Sequence, residues 1–209
     1  MDAAVVRELG ELGSACVGDG GGTALGSSLS PAWVGARVAA VAFTLRCAPG
    51  DNLALHVGTA EAPAGSVLVA DATADPEFGY WGEVLTSAAM ARGLVGVVID
   101  GGVRDVDPIE GLGFPMFAER ICQRGATKVG PGAVGGPVMV GGVEVRTGDV
   151  VVGDRDGVTV VPAHAVQPVL ERARAKAAGE PGLIDGLQAG STTIELLGLD
   201  TSNVERNGT

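Results

Sequence analysis

The stretch from Val95 to Asp105 constrains the fold more than any other part of the chain. Val95, Val97, Val98 and Ile99 form a short β-branched run suited to a buried strand, and Asp100, Gly101, Gly102, Arg104 and Asp105 follow at once. The expectation is a strand that ends near Asp100 and feeds a polar loop, with the glycine pair leaving room for a ligand. The residues just before it, Gly82 to Gly93, read as the clearest helix: glycine at the N-cap, Glu83 against the positive end of the dipole, alanines within, and Gly93 past the end. A helix running straight into a buried strand lets the helix start and the loop after the strand share one edge of a sheet. Bare N–H groups at that helix start can take a carboxylate or a phosphate.

The flanking chain supplies a frame for this unit. Val5, Val6, Leu9 and Leu12 make one apolar stripe on a short N-terminal helix, and Gly18-Asp19-Gly20-Gly21-Gly22 reads as a flexible loop with no dinucleotide register. Strands are expected over Arg37–Cys47 and Gly65–Ala70, with a short helix between them that carries Leu53, Leu55 and His56. Asp107-Pro108-Ile109-Glu110 matches a helix start with Asp107 as the cap and Glu110 reaching back. Gly141-Gly142 and Asp156-Gly157 separate valine-rich runs between Val138 and Val161, a hairpin signal. A helix follows from His164 to Ala178, and residues 179–209 are too weakly apolar to fold alone, so they read as an arm that packs on a neighbouring subunit.

Charge and cysteine usage remove several functions. The 14 Lys and Arg against 25 Asp and Glu leave a net charge of −11, which repels phosphate backbones and argues against nucleic acid as a partner. Cys16, Cys47 and Cys122 are odd in number and far apart, so no disulfide framework is expected, and two histidines are too few for a Cys/His zinc site. The N-terminus lacks a basic flank and an apolar core, and no apolar run reaches membrane length. The expectation is a soluble cytoplasmic protein with no membrane partner.

Lys128 falls in a glycine-rich turn and Lys176 on the polar side of a helix, so neither suits a Schiff base. No Gly-x-Ser-x-Gly elbow occurs, which weighs against a serine hydrolase. Oxygen chemistry remains: carboxylates for a hard cation such as Mg²⁺, which takes one or two of them and keeps several waters, beside one fixed positive charge.

Trp81-Gly82-Glu83, Ala91-Arg92-Gly93, Val98-Ile99-Asp100-Gly101, Val103-Arg104-Asp105-Val106, Gly113-Phe114-Pro115, Gly148-Asp149 and Asp156-Gly157-Val158 together resemble the RraA-like family. The enzymatic branch of that family comprises 4-hydroxy-4-methyl-2-oxoglutarate / 4-carboxy-4-hydroxy-2-oxoadipate aldolases. The likeness runs from about Pro31 to Val161. It implies an α/β fold of the swivelling β/β/α type with mixed sheets over residues 1–178, a C-terminal helical arm over 179–209, and trimers or hexamers with sites between subunits. It further implies a class II type aldolase that cleaves 4-hydroxy-2-oxo acids to pyruvate, with oxaloacetate decarboxylation as a second activity. Asp105 would bind Mg²⁺ or Mn²⁺, Arg104 would steady the enolate, and Asp100 would orient a water or shuttle a proton. The N–H groups around Gly82, Glu83, Val84 and Leu85 would hold the substrate carboxylate, and Glu180 would reach the metal site of the adjacent subunit. The other reading that the resemblance brings is a non-catalytic regulator that binds proteins.

Overall fold

The computed structural model describes residues 1–205. Two helices open the chain, α1 (Ala3–Leu12) and α2 (Ser14–Asp19), followed by the two-residue strands β1 (Thr23–Ala24) and β2 (Ser30–Pro31). A run of alternating elements comes next: β3 (Val38–Arg46), α3 (Leu53–Glu61), β4 (Ser66–Asp71), β5 (Gly79–Trp81), α4 (Glu83–Ala91), β6 (Gly96–Val103), α5 (Val106–Leu112) and β7 (Met116–Ile121). The second half holds β8 (Ala133–Val134), the hairpin of β9 (Val138–Val140) and β10 (Val143–Val145), the hairpin of β11 (Val150–Asp154) and β12 (Gly157–Val161), and the helices α6 (Val166–Gln188) and α7 (Thr193–Leu197).

The strands β1-β12-β11-β3-β4-β6-β7-β2 form one mixed sheet, with β5 added on β6 and β8 on β3. Pairing is parallel through β3, β4, β6 and β7, where helices make the crossovers, and antiparallel where the β11–β12 hairpin joins β3. The period-2 alternation of each strand then sorts the core into layers. Val97, Ile99 and Val103 of β6 face Leu55, Leu85 and Ala89 of the helices, while Val98 faces Val138, Val140 and Val145 of the β9–β10 hairpin. A third cluster buries Val6, Leu9 and Val17 of α1 and α2 with Val166, Val169 and Leu170 of α6 against Val150, Val152 and Val161. Hairpin, sheet and helices thus form the β/β/α layering.

Several local expectations are corrected. β6 does not stop at Asp100 but runs through Gly101 and Gly102 to Val103. A Cβ on Gly102 would stand 2.4 Å from Phe78 O, and one on Gly101 would stand 2.8 Å from Ala72 Cβ. These glycines let neighbouring chain approach the strand and leave no space for a ligand. Asp107 is not the cap of α5 either: Asp105 occupies the N-cap position, in the left-handed region with φ 56°, and Asp107 lies in the first turn. The glycine-rich segment after α2 is packed, with a Cβ on Gly20 only 2.8 Å from Val169 O.

The last helix is continuous from Val166 to Gln188 with Pro181 inside it, so the expected boundary between 178 and 179 is not a break in secondary structure. Pro181 and its neighbours are exposed, which leaves water to satisfy the carbonyl that a proline cannot bond. Beyond it Leu196 packs against Gly186, and Ile184, Leu187, Ile194 and Leu197 stay exposed.

Candidate active site

The end of β6 and the start of α4 meet at a cleft of ≈ 140 Å³ whose lining includes Gly82, Val84, Leu85, Arg104 and Asp105. A much larger groove of ≈ 870 Å³ lies between α1 and β3, but its lining is mostly apolar and backbone. The smaller cleft is where titratable groups and bare N–H groups converge, and it is the better candidate for chemistry.

Its geometry begins with the backbone. Arg104 N donates to Trp81 O at 2.9 Å, which carries the pairing of β5 and β6 one residue past the strand end. Asp105 then turns left-handed and sends its carboxylate back toward the helix start. Asp105 Oδ2 accepts the N–H of Glu83 at 3.0 Å and lies 3.6 Å from Arg104 Nε. Gly82 is required by space: its φ of −161° suits any residue, but a Cβ there would stand 2.4 Å from Asp105 Oδ2 and 3.3 Å from Arg104 Nε.

Thr86 N bonds Gly82 O, so of the first N–H groups of α4 only those of Val84 and Leu85 have no partner among the described residues. Two bare N–H groups at the positive end of a nine-residue helix suit a carboxylate. The Glu83 N–H, expected to share this task, is already taken by Asp105. Trp81 underlies the turn, stacked on Phe114 and donating from Nε1 to Thr86 Oγ1 at 2.7 Å.

The other wall comes from α3 and from the segment after β7, which the sequence did not mark as functional. Asn52, His56, Tyr80, Ala126 and Lys128 line it. Asn52 Nδ2 donates to Tyr80 O at 2.8 Å, while Asn52 Oδ1 and His56 Nε2 are buried without a hydrogen-bond partner among the described residues. Burial, and then the charge of Lys128, push the His56 pKa down and favour the neutral ring. Asp51 anchors the wall: its carboxylate accepts Leu53 N at 2.9 Å, Thr127 Oγ1 at 2.7 Å and Val129 N at 2.6 Å. Burial alone would raise the Asp51 pKa, but these bonds outweigh it and hold the carboxyl well below the usual range. Asp51 N-caps nothing in the usual position, yet it ties the helix start to a segment about 76 positions later.

Two predicted site residues stand apart from this cleft. Asp100 lies on the hairpin face of β6, opposite Val97 and Ile99, and its Oδ2 accepts Gly141 N at 2.6 Å. Burial first, and then the nearby charges of Glu119 and Asp71, raise its pKa against the lowering effect of the Gly141 bond. Glu180 lies on α6, 3.5 Å from Lys176 Nζ, and is absent from the cleft lining of its own chain. The arrangement that one chain does bring together is Arg104, Asp105 and the N–H groups of residues 84 and 85.

Residues 14–160 match the family model described as "RraA-like: Aldolase/RraA". The chain belongs to the RraA-like family. A relative in Halalkalibacterium halodurans, provisionally named a 4-hydroxy-4-methyl-2-oxoglutarate aldolase, is 36% identical over 167 residues, covering 79% of this chain and 80% of its own. An uncharacterised protein from Pseudomonas syringae pv. tomato superposes with a TM-score of 0.81 at 30% identity, covering 92% of both chains. A Streptomyces coelicolor protein, described as an unusual member of the RNase ES inhibitor RraA family, superposes with a TM-score of 0.77 at 30% identity, over 87% of this chain and 96% of its own. The mixed sheet, the helical layer and the C-terminal helix of this RraA-like protein are those of its structural neighbours. Among its described residues no helix is long and apolar enough to cross a membrane.

Proposed function

We propose that this RraA-like protein is a divalent-metal-dependent aldolase that cleaves 4-hydroxy-2-oxo acids to pyruvate, and that the same site decarboxylates oxaloacetate. The observation that carries the reading is the convergence of Arg104 and Asp105 with the free N–H groups of Val84 and Leu85 on one cleft. The name of the Halalkalibacterium relative supports the substrate class.

The donor set suits Mg²⁺ or Mn²⁺. Among the described residues Asp105 Oδ1 accepts no hydrogen bond while Oδ2 is held by Glu83, and no group of three or more His, Cys, Asp and Glu side chains gathers. A hard cation that keeps most of its waters needs no more than one or two carboxylates from the protein. Bound beside Asp105, it would polarise the 2-keto oxygen of the substrate.

The chain's own residues supply the remainder. Val84 and Leu85 N–H groups bind the carboxylate next to the keto group and fix the orientation of the reacting bonds. Solvent takes the 4-hydroxyl proton and later returns one to C3. As the C3–C4 bond breaks, C4 leaves as the carbonyl of the second product and the electron pair of that bond moves onto the 2-keto oxygen. The Arg104 guanidinium stands where that charge develops and stabilises it without reorganising. Protonation at C3 then gives pyruvate. Loss of CO₂ from oxaloacetate leads to the same enolate, so one site serves both reactions.

The test is a coupled pyruvate assay over a panel of 2-oxo acids, with Mg²⁺, with Mn²⁺ and with EDTA. Pyruvate should form from 4-hydroxy-4-methyl-2-oxoglutarate with metal, and EDTA or Arg104→Ala should stop it. Activity retained with EDTA would overturn the metal-dependent reading. The Streptomyces neighbour and the charge of −11 favour a second reading, a regulator that binds a basic protein surface. Specific capture of a partner together with no lyase activity would establish that reading instead.

A further inference from the structure

Among the described residues Lys128 has no ion pair, in a chain that has 25 acidic residues. The only other lysine, Lys176, lies 2.8 Å from Asp19 and 3.5 Å from Glu180. The nearby acid, Asp51, does not serve Lys128, because its carboxylate is occupied by Leu53, Thr127 and Val129. Those bonds fix the chain on both sides of Lys128 and hold it at the cleft wall, and Asn52 N adds a bond to Thr127 O at 2.9 Å.

Two more groups on this wall lack partners among the described residues. Asn52 is 7% exposed, and its Oδ1, an acceptor, is unbonded. His56, one helical turn later, presents an unbonded Nε2. Buried polar groups of this kind take a partner, and a ligand group in the cleft can supply it. A cation suits a carboxylate, a neutral imidazole in the tautomer that carries its proton on Nε2 adds a donor to it, and a bare amide oxygen suits a hydroxyl donor.

We propose that Lys128, His56 and Asn52 form a subsite for an α-hydroxycarboxylate group, with the carboxylate on Lys128 and His56 and the hydroxyl on Asn52. The proposal rests on the aldolase reading: the far half of a 4-hydroxy-4-methyl-2-oxoglutarate-like substrate is such a group, while its near carboxylate meets Val84 and Leu85. Because the cleft is one space of ≈ 140 Å³, the anion on Lys128 belongs to the same molecule that reaches Arg104. The subsite therefore selects dicarboxylates over 2-oxo acids with an uncharged far end.

Two measurements test it. Titration calorimetry with citramalate, an unreactive α-hydroxydicarboxylate, and with pyruvate compares wild type, Lys128→Met and Lys128→Arg in the presence of Mg²⁺. Lys128→Met should weaken citramalate about 10- to 100-fold, as expected for loss of one charged hydrogen bond, leave pyruvate within about twofold, and be rescued in part by Lys128→Arg. Lys128 is exposed at the mouth of the cleft, so the substitution leaves the core intact. The second measurement is the KM for 4-hydroxy-4-methyl-2-oxoglutarate against that for 4-hydroxy-2-oxopentanoate, which lacks the far carboxylate; only the former should rise in Lys128→Met. Unchanged citramalate binding, or equal losses for both ligands, overturns the subsite. Failure of the aldolase reading would show instead as absent turnover in wild type and would leave the calorimetric comparison readable.

Discussion

Asp105 Oδ2 accepts the backbone N–H of Glu83 at 3.0 Å, a bond that ties the end of β6 to the first turn of α4. Two of the elements that build the cleft are thereby tied together by one carboxylate, which also stands 3.6 Å from Arg104 Nε. The arrangement depends on the absence of a side chain at residue 82, where a Cβ would stand 2.4 Å from Asp105 Oδ2.

Gly82→Ala should therefore damage the site more than the fold. The new methyl group meets Asp105 Oδ2 at 2.4 Å, and the carboxylate is a side-chain end that can swing away, so stability should fall by no more than the ~1–3 kcal/mol typical of overpacking. Swinging Asp105 breaks its bond to Glu83 and moves it from Arg104, and a displacement of about 1 Å at a reacting centre costs ~10²-fold. Pyruvate formation by Gly82→Ala, measured beside its melting temperature, should show a large loss in kcat/KM with a small loss in stability. Wild-type kinetics in this variant would remove Asp105 from the chemistry.

The conformation of Asp105 gives a second separation. At φ 56° it is the only non-glycine residue with positive φ among the described residues, a region that asparagine and aspartate tolerate and alanine does not. Asp105→Asn should keep both the conformation and an acceptor for Glu83 N, so its stability should stay close to wild type while metal-dependent turnover is lost. Asp105→Ala should lose turnover and also about 1–2 kcal/mol of stability, because Cβ strain at positive φ is no longer offset by a local hydrogen bond. Thermal or denaturant unfolding of the two variants side by side checks the difference. Equal stabilities would mean that the turn is not held by this carboxylate.

Much of this was legible from short-range pattern. The apolar runs announced β3, β4, β6, β11 and β12, the Gly141-Gly142 and Asp156-Gly157 turns announced the hairpins, and the pair Arg104-Asp105 stood out because opposite charges end a buried strand. What could not be read was which side chains share a face after the strand. With Gly101 and Gly102 taken as a loop, Asp100 had no fixed direction. Once β6 continues to Val103, alternation puts Asp100 on the hairpin face with Val98, and the cleft lies toward the helices. The Lys128 wall was hidden for another reason. His56 read as part of a short helix and Lys128 as part of a turn, because the bonds that bring them together join Asp51 to Thr127 and Val129, with the whole parallel core between them in sequence. Contacts of that range leave no periodic trace.

The position of Asp100 leads to a prediction that sets its structural role against the catalytic one implied by resemblance. Asp100 is buried, and its pKa is raised first by that burial and then by Glu119 and Asp71, with the Gly141 bond opposing. A folded-state pKa above the unfolded value means that the folded protein binds the proton more tightly. Its contribution is thus fully present below the unfolded value near 3.8 and is lost as pH rises through the raised folded value. At neutral pH the ionised carboxylate is a cost that Asp100→Asn removes, while the amide oxygen can still accept Gly141 N. Asp100→Asn should therefore gain stability relative to wild type as pH rises from about 4 to 7, by the linkage of proton binding to folding, and this is read from unfolding midpoints across that range. If Asp100 serves only to hold the β9–β10 turn against β6, pyruvate formation by this variant should match wild type. A loss of turnover at unchanged stability would assign Asp100 to the chemistry, and the hairpin face of β6 would then have to be counted as part of the active site.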